Sequence, residues 1–160
     1  AYRFDWPALK DKLPPRCKTS HKGDSGHTLL VGGNHGMAGA VRMAAEAVAR
    51  TGSGLTSVAT RLEHVPAMAA VRLEVMWHGG TSQREHRNLA MQATVIAIGP
   101  GLGQDLWAQQ LLATCLESGL PLVVDADALN LLAQEPLKHN DWVLVKSCFY
   151  RDIRGIHSSR

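Results

Sequence analysis

Short apolar runs recur along this chain, and three of them end at a glycine turn or an acidic residue. The runs cover residues 28–31, 55–59, 94–98 and 121–124, and one more begins at Trp142. Strands that are almost wholly apolar and alternate with helices are typical of parallel sheets covered on both faces. The chain is therefore predicted to be an α/β protein with three layers, whose ligands bind beyond the carboxyl ends of the strands.

Helical spacing of apolar residues fills most intervals between these runs. It predicts helices over residues 38–50, 63–71, 104–117 and 128–133. The apolar stripe of the first helix consists largely of small residues, so this helix can pack closely against the sheet. Four arginines outside these stripes are predicted to be solvated, namely Arg42, Arg50, Arg61 and Arg72.

The composition favours a single domain and excludes several classes of partner. Hydrophobic residues make up 45% of the 160 positions, which is enough for one core. The net charge is only +3 and both signs are interspersed, so no nucleic-acid partner is predicted. No apolar stretch reaches the ~18 residues of a membrane helix. Because Cys17, Cys115 and Cys148 form no CxxC pair, a reducing cytoplasm is predicted rather than a disulfide framework or a zinc site.

The strongest local signal is the loop Gly99-Pro100-Gly101-Leu102-Gly103, which lies between a predicted strand and a predicted helix. Glycines let the backbone approach a ligand, and the N–H groups of a helix start attract anions, so phosphate binding is one interpretation. A tight turn that only connects two elements is the other. The loop is a poor dinucleotide fingerprint, because the third glycine of G-x-G-x-x-G would fall at Gln104.

Acidic and amide side chains follow the strand at 121–124. Asp125, Asp127 and Asn130 would stand at the ligand edge of the sheet, where they could bind hydroxyl groups or Mg²⁺. An alternative for Asp127 is that it caps the helix that follows. That alternative leaves Asp125 unexplained.

Another glycine-rich turn, residues 32–40, leaves room for a ligand beside the start of a helix. His35 within it could titrate, but a solvated loop histidine is the favoured interpretation. Lys22 could meet a phosphate or be solvated. Two such turns in one chain favour a real cleft.

Taken in order, these motifs resemble the ADP-dependent NAD(P)H-hydrate dehydratases, which have a ribokinase-like fold. The motifs are His21-Lys22-Gly23, the turn at 32–40, Arg50-Thr51-Gly52-Ser53-Gly54-Leu55, the loop at 99–103 and Asp125-Ala126-Asp127-Ala128-Leu129-Asn130. The resemblance covers roughly residues 16–143, the N-terminal half of the dehydratase domain. It implies three segments: a linker arm at 1–20, a partial dehydratase domain at 21–143 and a divergent tail at 144–160.

The resemblance implies a repair reaction. The S form of hydrated NADH or NADPH is phosphorylated on the ring hydroxyl at the expense of ADP, with Mg²⁺, and the phosphate is then eliminated. Ala40 and Gly103 would contact the hydrate, and Gly101 would shape the same loop. Asp125, Asp127 and Asn130 would lie near the phosphates. The family also implies a homo-oligomer and, in many bacteria, an epimerase domain ahead of residue 1.

The chain departs from the family pattern after Val143. The family continues with Thr-Pro-His-x-Gly-Glu, whereas this chain reads Leu144-Val145-Lys146-Ser147-Cys148-Phe149-Tyr150. The Lys-Gly loop that binds the nucleotide and the Gly-Thr-Gly-Asp turn that carries the base do not occur in it. We therefore expect the 160 residues alone to be inactive and to associate through an open sheet edge. Two other readings are a different ribokinase-like small-molecule kinase and a non-catalytic nucleotide-binding module.

Overall fold

A computed structural model describes residues 19–80 and 82–134 of the chain. Most of the predicted linker arm, the strand beginning at Trp142 and the tail at 144–160 lie outside the described residues. Among the described residues, no helix is long and apolar enough to cross a membrane.

Within residues 19–80 and 82–134, five parallel strands form one sheet. They are β1 (His27–Val31), β2 (Leu55–Ala59), β3 (Met76–His78), β4 (Val95–Ile98) and β5 (Leu122–Val124), in the spatial order β3-β2-β1-β4-β5. The central strand β1 pairs with both β2 and β4, so that Leu30 stands opposite Val58 on one side and Ala97 on the other. The predicted α/β class with a parallel sheet is confirmed.

In the described part of the chain, five helices cover the two faces of the sheet. They are α1 (Ala38–Thr51), α2 (Val65–Val71), α3 (Gln83–Ala90), α4 (Leu106–Glu117) and α5 (Ala126–Gln134). Two short 3₁₀ helices, Lys22–Ser25 and Leu62–His64, precede β1 and α2. The chain thus has the three predicted layers, with the sheet in the middle.

The apolar residues alternate along the strands and build a core on each face. On one face Leu30 and Val58 pack with Val41 of α1, and α2 lies against the same cluster. On the other face Leu29 and Ile96 pack in a larger cluster with α3, α4 and α5. Because successive side chains of a strand point to opposite faces, one apolar run supplies both cores.

Two elements, β3 and α3, were not predicted from the sequence. The strand β3 has only three residues, which is too short for a recognisable apolar run. It pairs with β2 alone at the edge of the sheet, and its Met76 is 38% exposed. The helix α3 is mostly polar and buries only His86 and Ala90. It begins where the Ser82 hydroxyl accepts the Glu85 N–H, which is a capping signal rather than an apolar stripe.

The prediction that the arginines are simply solvated is wrong for most of them. Arg42 and Arg72 each lie 3.0 Å from a different carboxylate oxygen of Glu46, and the more exposed Arg50 is 3.9 Å away. The hydrogen bond from Arg72, followed by that from Arg42, holds the pKa of Glu46 at about 2. This cluster joins α1 to the segment after α2.

Candidate functional site

Loops from three strands meet at the carboxyl edge of the sheet. We call residues 32–37, after β1, the first glycine corner, and residues 99–105, after β4, the second glycine corner. The two are joined through the backbone, since the Asn34 N–H donates to the Gly101 carbonyl at 2.7 Å. Asp125 follows β5 beside them, and its N–H donates to the last residue of β4. The predicted convergence of two glycine turns and an acidic strand end is therefore present in the structure.

The three residues predicted to bind substrate lie together. A Cβ built on Gly101 would be 3.0 Å from the Cβ of Ala40 and 2.8 Å from the Met37 carbonyl oxygen. A Cβ built on Gly103 would be 2.7 Å from the Asn34 amide nitrogen. Both glycines also have positive φ angles, +60° and +73°, which side chains rarely adopt. The close approach of the first glycine corner and the start of α1 to the second glycine corner therefore requires glycine at both positions.

The acidic residues predicted to line the cleft have different surroundings. Asp125 Oδ1 is buried and, within the part of the chain that is described, has no hydrogen-bond partner. Asp127 Oδ2 accepts the Gly103 N–H at 2.9 Å. Asn130 is exposed on α5. Asp127 bonds the second glycine corner through its side chain, and the backbone of Asp125 lies beside Gly99 of the same corner.

The capping alternative for Asp127 is wrong. The helix α5 begins at Ala126, two residues earlier than predicted, so Asp127 lies inside its first turn. The carboxylate bonds the amide of a loop 24 residues earlier in the chain instead of an amide of its own helix. Asp127 therefore fixes the backbone of Gly103.

A polar network that the sequence analysis did not find holds the two corners together. Asn34, 5% exposed, donates from Nδ2 to the Leu102 carbonyl and to Asp105 Oδ2, both at 3.0 Å. Arg61, which follows β2, donates to Asn34 Oδ1 and to Asp105 Oδ2, both at 2.8 Å. Its guanidinium carbon lies 4.2 Å from the centroid of the Trp107 ring. The sequence carried no signal for these pairings except that each residue stands just beyond a strand or at a helix start.

Three N–H donors of the second glycine corner, those of Gly99, Leu102 and Gly103, are engaged by the protein itself. Asp105 Oδ1 accepts the Ala108 N–H and caps α4, and Asp127 takes the Gly103 N–H. Partial burial opposes ionisation of Asp105, but hydrogen bonds from Asn34, Ala108 and Arg61 outweigh it and lower its pKa. The carboxylates of Asp105 and Asp127 thus lie at the loop that was predicted to bind a phosphate. Phosphate binding at this corner stays a prediction.

The other two candidate residues are exposed, as the solvated interpretation predicts, but His35 also pairs with an acidic side chain. Lys22 is exposed within the first 3₁₀ helix. His35 is also exposed, and its ring contacts the carboxylate of Glu63. The described residues contain no group of three His, Cys, Asp or Glu side chains that could hold a metal ion.

A separate groove lies away from this site. Its volume is about 290 Å³, and it runs between the C-terminal ends of α3 and α4. Its lining includes Met91, Thr114 and Leu120. Because α4 starts at the carboxyl edge of the sheet and runs back across it, this groove opens at the opposite edge. It shares no residue with the two glycine corners.

Comparison with known proteins identifies the family to which the chain is similar. The family model described as NAD(P)H-hydrate dehydratase matches residues 28–145. The bifunctional NAD(P)H-hydrate repair enzyme Nnr of Coxiella burnetii is 51% identical over 141 residues, which is 88% of this chain and 29% of the relative. The ADP-dependent (S)-NAD(P)H-hydrate dehydratase of Streptococcus thermophilus is 38% identical, over 83% of this chain and 49% of the relative.

Solved structures agree with the sequence relatives. An ADP/ATP-dependent NAD(P)H-hydrate dehydratase from Bacillus subtilis, co-crystallized with ATP and Mg²⁺, superimposes with a TM-score of 0.72 at 28% identity. The similarity covers 88% of this chain and 50% of that one. A ribokinase-like superfamily protein from Enterococcus faecalis gives a TM-score of 0.77 at 34% identity. The chain spans between about a quarter and a half of the relatives' length, and it belongs to the NAD(P)H-hydrate dehydratase family.

Proposed function

We propose that the crevice between α1 and the second glycine corner binds hydrated NADH or NADPH, and that the protein serves the ADP-dependent dehydration of the S form. The observation that carries the proposal is the contact between Ala40 and Gly101, with Gly103 on the same loop. These three small residues are only half-buried, so a flat ring could lie on the surface that they form together. The relatives are named for reactions of this substrate.

The start of α1 supports binding of the phosphates of the nucleotide. Met37 at its N-cap makes no side-chain hydrogen bond to the helix, and the first turn contains no acidic residue. By contrast, Asp105 caps α4 and places a negative charge there. A helix start without a carboxylate cap favours an anion through its N–H groups and its dipole. The diphosphate of the hydrate is therefore placed at α1 in this proposal, and its ring at the second glycine corner.

ADP and Mg²⁺ enter the proposal with the family. When bound, ADP would supply the phosphoryl group that makes the ring hydroxyl a leaving group. Mg²⁺ is commonly held by one or two carboxylates together with substrate phosphates, and Asp125 offers an oxygen that no described protein group engages. The role of the protein residues is to hold the hydrate and to exclude water around it.

The wider setting is proposed on the same grounds. Residues 21–143 would form part of a dehydratase domain in a cytoplasmic protein. An epimerase domain ahead of residue 1 is supported by relatives named as bifunctional repair enzymes. Self-association of the whole protein is expected from the family resemblance.

Titration of the 160-residue chain with hydrated NADPH tests the proposal. Ala40→Leu would fill the crevice and should weaken binding about tenfold or more, because added methylenes in a packed site cost ~1–3 kcal/mol. Ala47→Leu is the matched control, since Ala47 is exposed on the same helix. Its dissociation constant should not change.

Three outcomes contradict the proposal. The chain could fail to bind hydrated NADPH, it could bind a sugar or hydroxyethylthiazole instead, or Ala40→Leu could bind as tightly as the unsubstituted chain. Binding of ADP alone would favour a plain nucleotide-binding module. Addition of ADP and Mg²⁺ to the bound complex then measures return of NADPH absorbance, which we expect to be absent for these 160 residues by themselves.

A further inference from the structure

Every polar atom of the Asn34 side chain is used to join parts of the site. Its amide nitrogen donates one hydrogen to the Leu102 carbonyl and the other to Asp105 Oδ2. Its oxygen accepts the His35 N–H at 2.9 Å and the Arg61 Nε–H at 2.8 Å. An amide has two donors and one oxygen with two lone pairs, so Asn34 is fully satisfied while nine-tenths buried.

Arg61 ties a third strand into the same arrangement. It follows β2, whereas Asn34 follows β1 and Asp105 precedes α4. One guanidinium bonds both partners at 2.8 Å, and its side chain is 20% exposed. The face of Trp107 lies against the guanidinium, which adds a cation–π contact. The planar fork of arginine suits such a two-sided bridge, and the single ammonium of lysine does not.

We propose that Asn34 and Arg61 are positioning residues for the nucleotide site, because they set the separation of the two glycine corners and hence of Ala40 from Gly103. Neither residue needs to touch the ligand. The inference rests on the proposed function for the identity of the ligand, but not for the geometry. A buried, fully bonded network has one low-energy arrangement, so it fixes the width of the crevice before the ligand arrives.

The hydrogen-bond pattern makes a reciprocal substitution informative. Asn34→Asp keeps the shape but replaces two donors with acceptors that face the Leu102 carbonyl and the Asp105 carboxylate, so the corners should separate. In the double variant Asn34→Asp, Asp105→Asn, the amide at position 105 donates to the carboxylate at position 34. The recovery is partial, because that amide no longer accepts from Arg61 and the Leu102 carbonyl stays without its donor. Asparagine caps a helix as well as aspartate does, so the Ala108 N–H keeps its acceptor.

The experiment measures three quantities on each variant: amide hydrogen exchange of Gly103 in the free chain, the dissociation constant for hydrated NADPH, and urea unfolding. Asn34→Asp should speed exchange at Gly103 and weaken binding about tenfold. Relative to Asn34→Asp alone, the double variant should slow exchange and strengthen binding, without reaching the values of the unsubstituted chain. A merely structural role would lower the unfolding midpoint without this reciprocal recovery of affinity.

Arg61→Lys supplies an independent variant if Asn34→Asp does not fold. It keeps the charge but cannot bridge both partners, and it should also weaken binding and speed exchange at Gly103. Arg87→Lys is the matched control, because Arg87 forms an exposed 2.9 Å pair with Glu117 far from the site. That control should change neither quantity.

The failures of the two proposals are distinguishable. If the unsubstituted chain does not bind hydrated NADPH, the proposed function fails, and exchange at Gly103 still decides whether the network sets the corner. The positioning role is overturned if folded Asn34→Asp or Arg61→Lys shows unchanged exchange and unchanged binding. It is also overturned if the reciprocal variant is no better than Asn34→Asp alone.

Discussion

Leu102→Ala measures how firmly the second glycine corner is anchored to the core. Leu102 stands between two glycines, yet its side chain is 0% exposed and packs in the cluster beneath α4. The change removes three carbon atoms, and at ~0.8 kcal/mol for each the transfer contribution is about 2.4 kcal/mol. The cavity left behind adds to this, so the expected loss of unfolding free energy is about 3 kcal/mol, within the ~2–5 kcal/mol typical of buried leucines.

Leu106→Ala is the matched control for that measurement. Leu106 begins α4 close by in the chain, but it is 67% exposed, so the same change should cost less than about 1 kcal/mol. Urea unfolding followed by circular dichroism gives both values from the shift in midpoint at constant slope. An equal loss for the two variants, or a loss below about 1 kcal/mol for Leu102→Ala, would refute the view that this leucine anchors the loop.

Two further predictions concern the corner and the cluster on α1. Gly101→Ala should lose binding of hydrated NADPH, because the new Cβ would lie 2.8 Å from the Met37 carbonyl oxygen. Gly119→Ala is the control: Gly119 has a similar φ of +68° but open space around it, so the substitution adds only the backbone strain of ~1–2 kcal/mol and should leave binding intact. Equal affinities for the two would contradict the crowding argument. For Glu46, whose pKa the bonds from Arg72 and Arg42 lower from near 4.5 to about 2, the stabilisation is present above pH 4.5 and is lost as the pH falls toward 2. The difference in unfolding free energy between the unsubstituted chain and Glu46→Gln should therefore shrink across that window in acid denaturation, and a constant difference would show that the ion pairs do not stabilise the fold.

The sheet could be predicted largely because its central strands are buried on both faces. β4 is a continuous apolar run and β1 ends in one, and each leads into a glycine turn that marks its end. The strand β3 could not be predicted, because a three-residue element at the sheet edge has no apolar run. The polar helix α3 could not be predicted from apolar spacing either, since it buries few side chains and its start is marked by the Ser82 cap.

The candidate site could be predicted at the level of the backbone but not of the side chains. The topology of a parallel sheet brings the turns after β1 and β4 to one edge, and this was enough to group Ala40 with Gly101 and Gly103. The pairing of Asp127 with Gly103 depends on where α5 begins, which patterns of apolar residues locate only within a few residues. The contacts of Arg61 with Asn34 depend on the direction of one long side chain, which no spacing rule determines.

The bonds that close the two corners also constrain how the site forms during folding. Asn34 and Asp105 are 71 residues apart in the chain, Arg61 and Asp105 are 44 apart, and Asn34 and Arg61 are 27 apart. Contacts between distant residues form late, because the entropy of closing the intervening chain must be lost before they form. The crevice therefore has no local nucleus, and we expect it to appear only when β1, β2 and β4 have assembled and to disappear in the same cooperative step.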